Sequence, residues 1–223
     1  MLRASLRPLA AAGLLLATGE PHAQVVRVSP EFRVNTYTTS YQDRPVVAKA
    51  GSGNFVVAWE SYRQDGSFSG VFARSFNSDR GALGPAFRVN SYTSSYQSYP
   101  DVAADTAGNF VVVWQSYRQD GSYYGVFGQR YDTTPAALAS EFRVNGYTNY
   151  DQNRTSVARG PAGKIVVVWQ DASRDGDGLS VYGQRYDSAG VAQGSAFRVN
   201  TYTTSSQGYP DIDADGTGNF VVV

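Results

Sequence analysis

Residues 108–132 read GNFVVVWQSYRQDGSYYGVFGQRYD, and this stretch decides how the chain folds. It opens on a Gly-Asn pair of the kind that forms tight hairpin turns. The FVVVW run that follows is apolar at every position, which is typical of a strand covered on both faces. After a polar loop, VFGQRYD alternates apolar and polar residues, as a strand with one buried face does. The stretch therefore predicts a hairpin whose first strand lies inside a sheet.

The same pattern recurs along the chain with a period of 55 residues. The tetrapeptide FRVN begins at Phe32, Phe87, Phe142 and Phe197. Tryptophans keep the same spacing at Trp59, Trp114 and Trp169. The units span residues 31–85, 86–140, 141–195 and 196–223, and the fourth stops after GNFVVV, one residue before the tryptophan position. Such a period indicates a repeat architecture, and we expect the chain to be part of a longer array.

Each unit predicts four short strands: FRVN, a short strand such as DVAAD at residues 101–105, the apolar strand, and the VFGQRYD strand. One unit buries too little apolar surface to be stable alone, so the units must stack on one another. Radial stacking gives a β-propeller, whose blades are four-stranded sheets. A β-solenoid would use shorter turns, and tandem immunoglobulin-like sandwiches need about 100 residues each. The prediction is an all-β, β-propeller-like fold that is incomplete, with about three blades and a partial fourth.

The predicted order within a blade is strand two, three and four of one unit, followed by FRVN of the next. In this order the first FRVN, at residues 32–35, precedes the first blade, so it can complete the last blade and close the ring. Gly128, inside the fourth strand of its unit, predicts close packing by an aromatic side chain of a neighbour.

The first 23 residues have the layout of a signal peptide. Arg3 and Arg7 precede an apolar run at residues 9–17, and a polar stretch ends on the small residue Ala23. The run is far shorter than the roughly 20 residues that cross a bilayer. We expect cleavage after Ala23, with Gly19 as the alternative site and a buried N-terminal helix as the alternative structure. Residues 24–223 would then form a secreted repeat domain, extracellular or periplasmic.

Composition excludes several classes of function. Nineteen basic and nineteen acidic side chains cancel, which disfavours nucleic acid and anionic membranes as partners. The chain has no cysteine, and its one histidine, His22, lies in the expected signal peptide, so Cys or His catalysis is not expected. Residues 211–216, DIDADG, resemble the first half of a calcium loop, but Val222 stands where the bidentate acid belongs. No metal and no cofactor are expected.

Residues 108–132, together with EFRVN at residues 141–145, resemble a tandem repeat of large secreted bacterial proteins, generally uncharacterised, whose units resemble β-propeller blades. The resemblance covers residues 31–223 and implies a fold, but no catalytic motif accompanies it. The units are also distantly similar to Kelch-type and sialidase-type blades. The double glycine of Kelch repeats is absent, and the sequence does not match the Asp-box pattern of sialidases. The enzymatic roles of those families are therefore not implied.

The crossing after FRVN and the loop after the tryptophan are predicted to share one end of the disc. In the second unit this end would carry candidate ligand-binding side chains: Tyr92, Gln97, Tyr117, Asp120, Tyr123 and Tyr124. Aromatic rings cover the apolar faces of sugars, while amides and carboxylates bond their hydroxyls. The alternative is structural: Asp-Gly shapes the turn, the glutamine caps loop backbone, and the tyrosines pack between blades.

The function predicted from the sequence is a secreted, non-enzymatic binding or scaffold module for an extracellular carbohydrate or protein. The alternative is the N-terminal part of a propeller glycosidase or polysaccharide lyase. Asp65, Asp120 and Asp175 recur at one position in each unit, which indicates a structural role because a catalytic pair normally breaks internal symmetry. Acids placed asymmetrically at one end of the disc would favour the enzyme, and we expect none in these units.

Overall fold

The computed structural model describes residues 30–172 and 174–223, and the regular structure in them is almost entirely β-strand. The strands are β1 (Gln42–Lys49), β2 (Phe55–Tyr62), β3 (Ser69–Phe76), β4 (Phe87–Arg88), β5 (Gln97–Ala104), β6 (Phe110–Tyr117), β7 (Tyr124–Tyr131), β8 (Phe142–Arg143), β9 (Gln152–Arg159), β10 (Ile165–Ala172), β11 (Leu179–Tyr186), β12 (Phe197–Arg198), β13 (Ile212–Ala214) and β14 (Phe220–Val222). A single 3-10 turn, Pro161–Gly163, precedes β10. The expected cleavage site at Ala23 lies outside the described residues. In the two described ranges, no helix has the length and apolar character needed to cross a membrane.

Strand pairing builds three four-stranded antiparallel sheets, β1–β4, β5–β8 and β9–β12, and one two-stranded sheet, β13–β14. Each four-stranded sheet takes three strands from one unit and its last strand from the next, as where Phe87–Arg88 pairs with β3. The predicted strand order and the predicted all-β, propeller-like fold are thereby confirmed. The inner strands β1, β5, β9 and β13 contact one another in succession, so the sheets stand side by side around a common axis.

Apolar side chains fill the space between facing sheets. Val56 and Val71 of the first sheet pack against Val112, Trp114 and Phe127 of the second, and equivalent side chains join the second sheet to the third. All three tryptophans are fully buried, and each lies on a strand flanked by two others, as predicted. Each small unit buries its apolar side chains only against a neighbouring sheet, so the units are stable only when they stack.

The short FR strands connect neighbouring sheets. A Cβ added at Gly128 would lie 2.8 Å from Cζ of Phe142, which pairs with Gly128 across the sheet. The ring of Phe142 also packs on Tyr186 of the following sheet, with 5.4 Å between ring centroids. The close aromatic approach predicted at Gly128 is confirmed, and it lets one phenylalanine bridge two sheets.

The first FRVN copy lies against the first sheet, where the Phe32 ring contacts Phe76 at 5.5 Å between centroids. In the later copies the asparagine Oδ1 accepts a backbone N–H of the strand with which its FR segment pairs; the pairs are Asn90 with Val71, Asn145 with Val126, and Asn200 with Val181. The buried Oδ1 of Asn35 finds no donor in residues 30–172 and 174–223. Completion of a further blade by this segment stays a prediction.

Candidate functional site

The crossings and the tryptophan loops do share one end of the sheets, because Gln97 at the start of β5 pairs with Ser116 near the end of β6. We call this end the loop face; it comprises the crossings at residues 36–41, 91–96, 146–151 and 201–206 and the loops at residues 63–68 and 118–123. Tyr117 and Tyr124 form a cross-strand ring pair with centroids 5.0 Å apart. Tyr123 is exposed, and Tyr92 is half-buried.

Two of the predicted ligand-binding residues, Gln97 and Asp120, make hydrogen bonds that stabilise the loops. Gln97 is fully buried; its Nε2 donates to the Ser94 carbonyl at 2.9 Å, and its Oε1 accepts from Asn90. Asp120 accepts the Ser122 N–H at 3.2 Å and forms the turn of its loop. Both contacts are those expected from the structural alternative. A ligand-binding role for the tyrosines stays a prediction.

The inner strands show a feature that sequence reasoning missed. At one repeat position in each unit, a residue with a side chain adopts the left-handed backbone region: Arg44 (φ 50°), Tyr99 (φ 53°), Arg154 (φ 52°) and Tyr209 (φ 58°). In β1 and β5 the residue lies in a β-bulge, where the pairing register shifts. Such conformations cost about 1 to 3 kcal/mol each and persist only where the surroundings impose them. The position brings side chains of four successive units together around the axis.

The residue after each tryptophan holds the left-handed residue of the next sheet in place. Gln115 Oε1 accepts the backbone N–H of Arg154 at 3.2 Å, and Gln170 Oε1 accepts that of Tyr209 at 3.1 Å. In the first sheet Glu60 makes the same bond to the Tyr99 backbone. The strained positions are therefore fixed by contacts between sheets.

The side chains at the four positions stack on one another. The Arg44 guanidinium carbon lies 3.5 Å from the Tyr99 ring centroid. That of Arg154 lies 3.9 Å from the Tyr99 centroid and 4.9 Å from the Tyr209 centroid. We call Arg44, Tyr99, Arg154 and Tyr209 the Arg–Tyr stack. Cation–π attraction stabilises it, and within the described ranges the Arg154 guanidinium makes no hydrogen bond or ion pair, so its donors are free.

The Arg–Tyr stack borders an open cavity of about 410 Å³, which we call the axial cavity. Its wall includes the acids Asp101 and Asp211 and, between them, Ser156. The Ser156 Oγ lies 2.9 Å from Asp101 Oδ2 and 3.1 Å from Asp211 Oδ1. The two carboxylate oxygens are therefore at most about 6 Å apart, the sum of those distances. A serine hydroxyl has one proton and can donate to only one of them.

The two acids break the symmetry of the repeat, because the equivalent residues are Val46 in the first unit and Ser156 in the third. The expectation that these units lack asymmetric acids is therefore wrong, and this asymmetry is the signal in the sequence from which the cavity could have been predicted. Burial raises the pKa of Asp101, and the nearby Asp211 carboxylate raises it further, against hydrogen bonds from the Val157 N–H, Ser156 and the Val102 N–H.

Glu60 gives a prediction for stability against pH. Burial raises its pKa above the ordinary 4.5, so its contribution to stability is fully present below pH 4.5 and is lost as pH rises through the folded-state pKa. Glu60→Gln, which restores the residue found at 115 and 170, should raise the melting temperature at pH 8 and leave it nearly unchanged at pH 4. The Arg44 side chain of the lost ion pair is 45% exposed, so the pair adds little.

Melting curves from pH 4 to 8 for wild type, Glu60→Gln and the reverse exchange Gln115→Glu test this account of Glu60. Gln115→Glu should make stability fall more steeply with rising pH. A Glu60→Gln protein that melts lower than wild type at pH 8 would show that the ion pair, not the burial, dominates.

No protein-family model and no curated protein matches this chain. Solved structures do resemble it. A protein of unknown function from Dyadobacter fermentans aligns with a TM-score of 0.58 and 13% identity, over 85% of this chain and 63% of that one. An α-L-arabinanase of Penicillium chrysogenum, solved with arabinobiose, aligns with a TM-score of 0.55 and 13% identity, over 81% of this chain and 58% of that one. The chain thus spans less than two thirds of either structure, and the likeness establishes the propeller-like fold.

Proposed function

We propose that this chain belongs to a saccharide-binding β-propeller and that the sugar is held in the axial cavity against the Arg–Tyr stack. The observation that carries the proposal is the free Arg154 guanidinium, held by strained backbone and two tyrosine rings at the border of the cavity. Strain of this kind accumulates at functional sites, where it fixes a side chain in advance of binding.

The chemistry of the cavity suits an uncharged polyhydroxylated ligand. The Tyr209 ring lines the cavity, and an aromatic ring suits the apolar C–H surface of a sugar. Arg154 supplies hydrogen-bond donors, while Asp101 and Asp211 supply acceptors. Two arginines and two aspartates balance in charge along the cavity wall, which disfavours a strongly charged ligand. The arabinobiose bound by the similar arabinanase supports a sugar as the ligand class.

Calorimetric titration with arabinobiose, xylobiose and cellobiose tests the proposal. Arg154→Ala and Tyr209→Ala should each weaken binding at least about tenfold, which corresponds to about 1.4 kcal/mol. The matched control is Arg185→Ala, since the Arg185 guanidinium also lies over an aromatic ring, that of Phe197, but outside both the cavity wall and the loop face. Equal affinity of Arg154→Ala and wild type, or no binding of any of the sugars, would contradict the proposal.

A glycoside hydrolase is the second candidate, favoured by the asymmetric acid pair. Retaining glycosidases place two carboxyl groups about 5 to 5.5 Å apart, one protonated as general acid and one ionised as nucleophile. Asp101, whose pKa is raised, would be the acid, and Asp211 the nucleophile. If the chain hydrolyses sugars, wild type should release reducing ends from arabinan, and Asp211→Asn should release none while still binding. A binding protein releases none in either form.

A further inference from the structure

Exposed aromatic side chains are concentrated on the loop face. Six of them, with 38% to 73% of their surface exposed, are Tyr41, Phe68, Tyr96, Tyr123, Tyr150 and Tyr202. Among the described residues the only other exposed aromatics are Tyr209 of the axial cavity and Phe220 of β14. At the opposite end of the sheets, Phe220 is the one exposed aromatic among the described residues, and Leu83, Leu138 and Val191 are exposed aliphatics. A one-sided aromatic surface of this kind marks an interaction site.

The crossings around these rings carry almost no charge, and the two loops carry balanced charges, Arg63 with Asp65 and Arg118 with Asp120. The crossings read TYTTSY (36–41), SYTSSY (91–96), GYTNYD (146–151) and TYTTSS (201–206), with Asp151 as their one charged residue. Hydroxyl and amide groups therefore surround the rings. A polyanion or a polycation would find no large excess of complementary charge there. A neutral polymer with apolar faces and many hydroxyls, which is a glycan chain, fits both the rings and their polar neighbours.

The aromatic surface also continues from one sheet to the next. Phe68, in the loop of the first sheet, stacks on Tyr96, in the crossing that leads to the second, with 4.7 Å between centroids and 26° between planes. Tyr123 occupies the position of Phe68 in the second unit, and Tyr150 lies in the crossing that leads to β9. A chain lying on this surface would meet a new ring on each sheet.

We infer that the loop face is a platform for a long neutral glycan, whose chain extends from the axial cavity across successive sheets. The inference rests on the proposed function, since it assumes that the axial cavity holds one part of that glycan. Several weak ring contacts on one chain act with a high effective concentration, so affinity should rise steeply with chain length.

Titration with arabino-, xylo- and cello-oligosaccharides of two and eight units tests the platform. For the sugar that binds, the octasaccharide should bind at least about tenfold more tightly than the disaccharide. The double variant Tyr123→Ala, Tyr150→Ala should lose that gain while binding the disaccharide as wild type does. The matched control is Leu138→Ala, an exposed apolar residue at the opposite end of the sheets, which should keep the gain. Melting curves verify that every variant is folded.

The possible outcomes separate the two proposals. Equal affinity for both lengths, or the same loss of gain in Leu138→Ala, would overturn the platform and leave the saccharide site intact. Octasaccharide binding that Arg154→Ala leaves unchanged, with no disaccharide binding, would overturn the axial site and leave the aromatic surface as the binding site. Absence of binding at either length would overturn both.

Discussion

Asp105→Ala is expected to lower the free energy of unfolding by about 3 to 5 kcal/mol, the usual cost of removing one partner of a buried ion pair. Asp105 Oδ2 lies 3.0 Å from Arg159 Nη2, and only 12% and 5% of the two side chains is exposed. The pair joins the turn after β5 to the end of β9. Removing the carboxylate leaves a buried guanidinium without a counter-charge.

The fourth unit provides a matched control for this prediction. Asp105 also accepts the N–H groups of Gly108 and Asn109 in its turn, and Asp215 makes the same bonds to Gly218 and Asn219. Asp215 has no ion-pair partner in the described ranges, so Asp215→Ala removes the turn contacts alone and should cost clearly less. Urea denaturation of both variants measures the difference. Equal losses would show that the ion pair adds nothing beyond the turn.

Trp114→Ala should lower the unfolding free energy by about 3 to 5 kcal/mol, the cost of truncating a large buried aromatic, and should abolish soluble expression. Trp114 is fully buried between the first and second sheets. Each sheet depends on its neighbours for its core, so the loss at this interface also weakens the adjacent sheets.

A phenylalanine series separates packing from hydrogen bonding at the tryptophans. Trp114 Nε1 has no acceptor among the described residues, whereas Trp59 Nε1 donates to Gln42 Oε1 at 3.0 Å. Trp59→Phe should therefore cost about 1 kcal/mol more than Trp114→Phe, the typical net value of one hydrogen bond. Denaturation midpoints measure both. A Trp114→Ala protein with an unchanged midpoint would place that tryptophan outside the core.

The strand order could be predicted because the repeat is regular and its apolar pattern has a physical reason at each strand. The FVVVW run is apolar throughout, which predicts a strand inside the sheet. β6 does lie between β5 and β7. FRVN also alternates, and it is the strand that remains to pair with the VFGQRYD strand. Gly128 in that strand leaves room for the FRVN phenylalanine. The outcome agrees with both expectations, since Phe142 pairs with Gly128.

The axial cavity could not be predicted in the same way. The sequence predicts the second strand of this unit at residues 101–105, because Pro100 and the polar residues before it suggest a loop. The observed strand, β5, begins earlier and spans Gln97–Ala104. Proline is tolerated in a strand at a bulge, and the bulge is what gives Tyr99 its left-handed backbone. Local preferences assign that conformation to glycine or asparagine. The bulge and the hydrogen bond that the Tyr99 N–H donates to Glu60 of the neighbouring sheet together stabilise it.

The most direct test of the saccharide site is a crystal structure of the protein soaked with arabinobiose, or with whichever sugar binds most tightly in the titrations. We expect one sugar ring within about 4 Å of the Tyr209 ring, with a hydroxyl accepting a hydrogen bond from the Arg154 guanidinium. Sugar density at the end of the sheets opposite the loop face, or an axial cavity empty of sugar at a saturating concentration, would contradict the account.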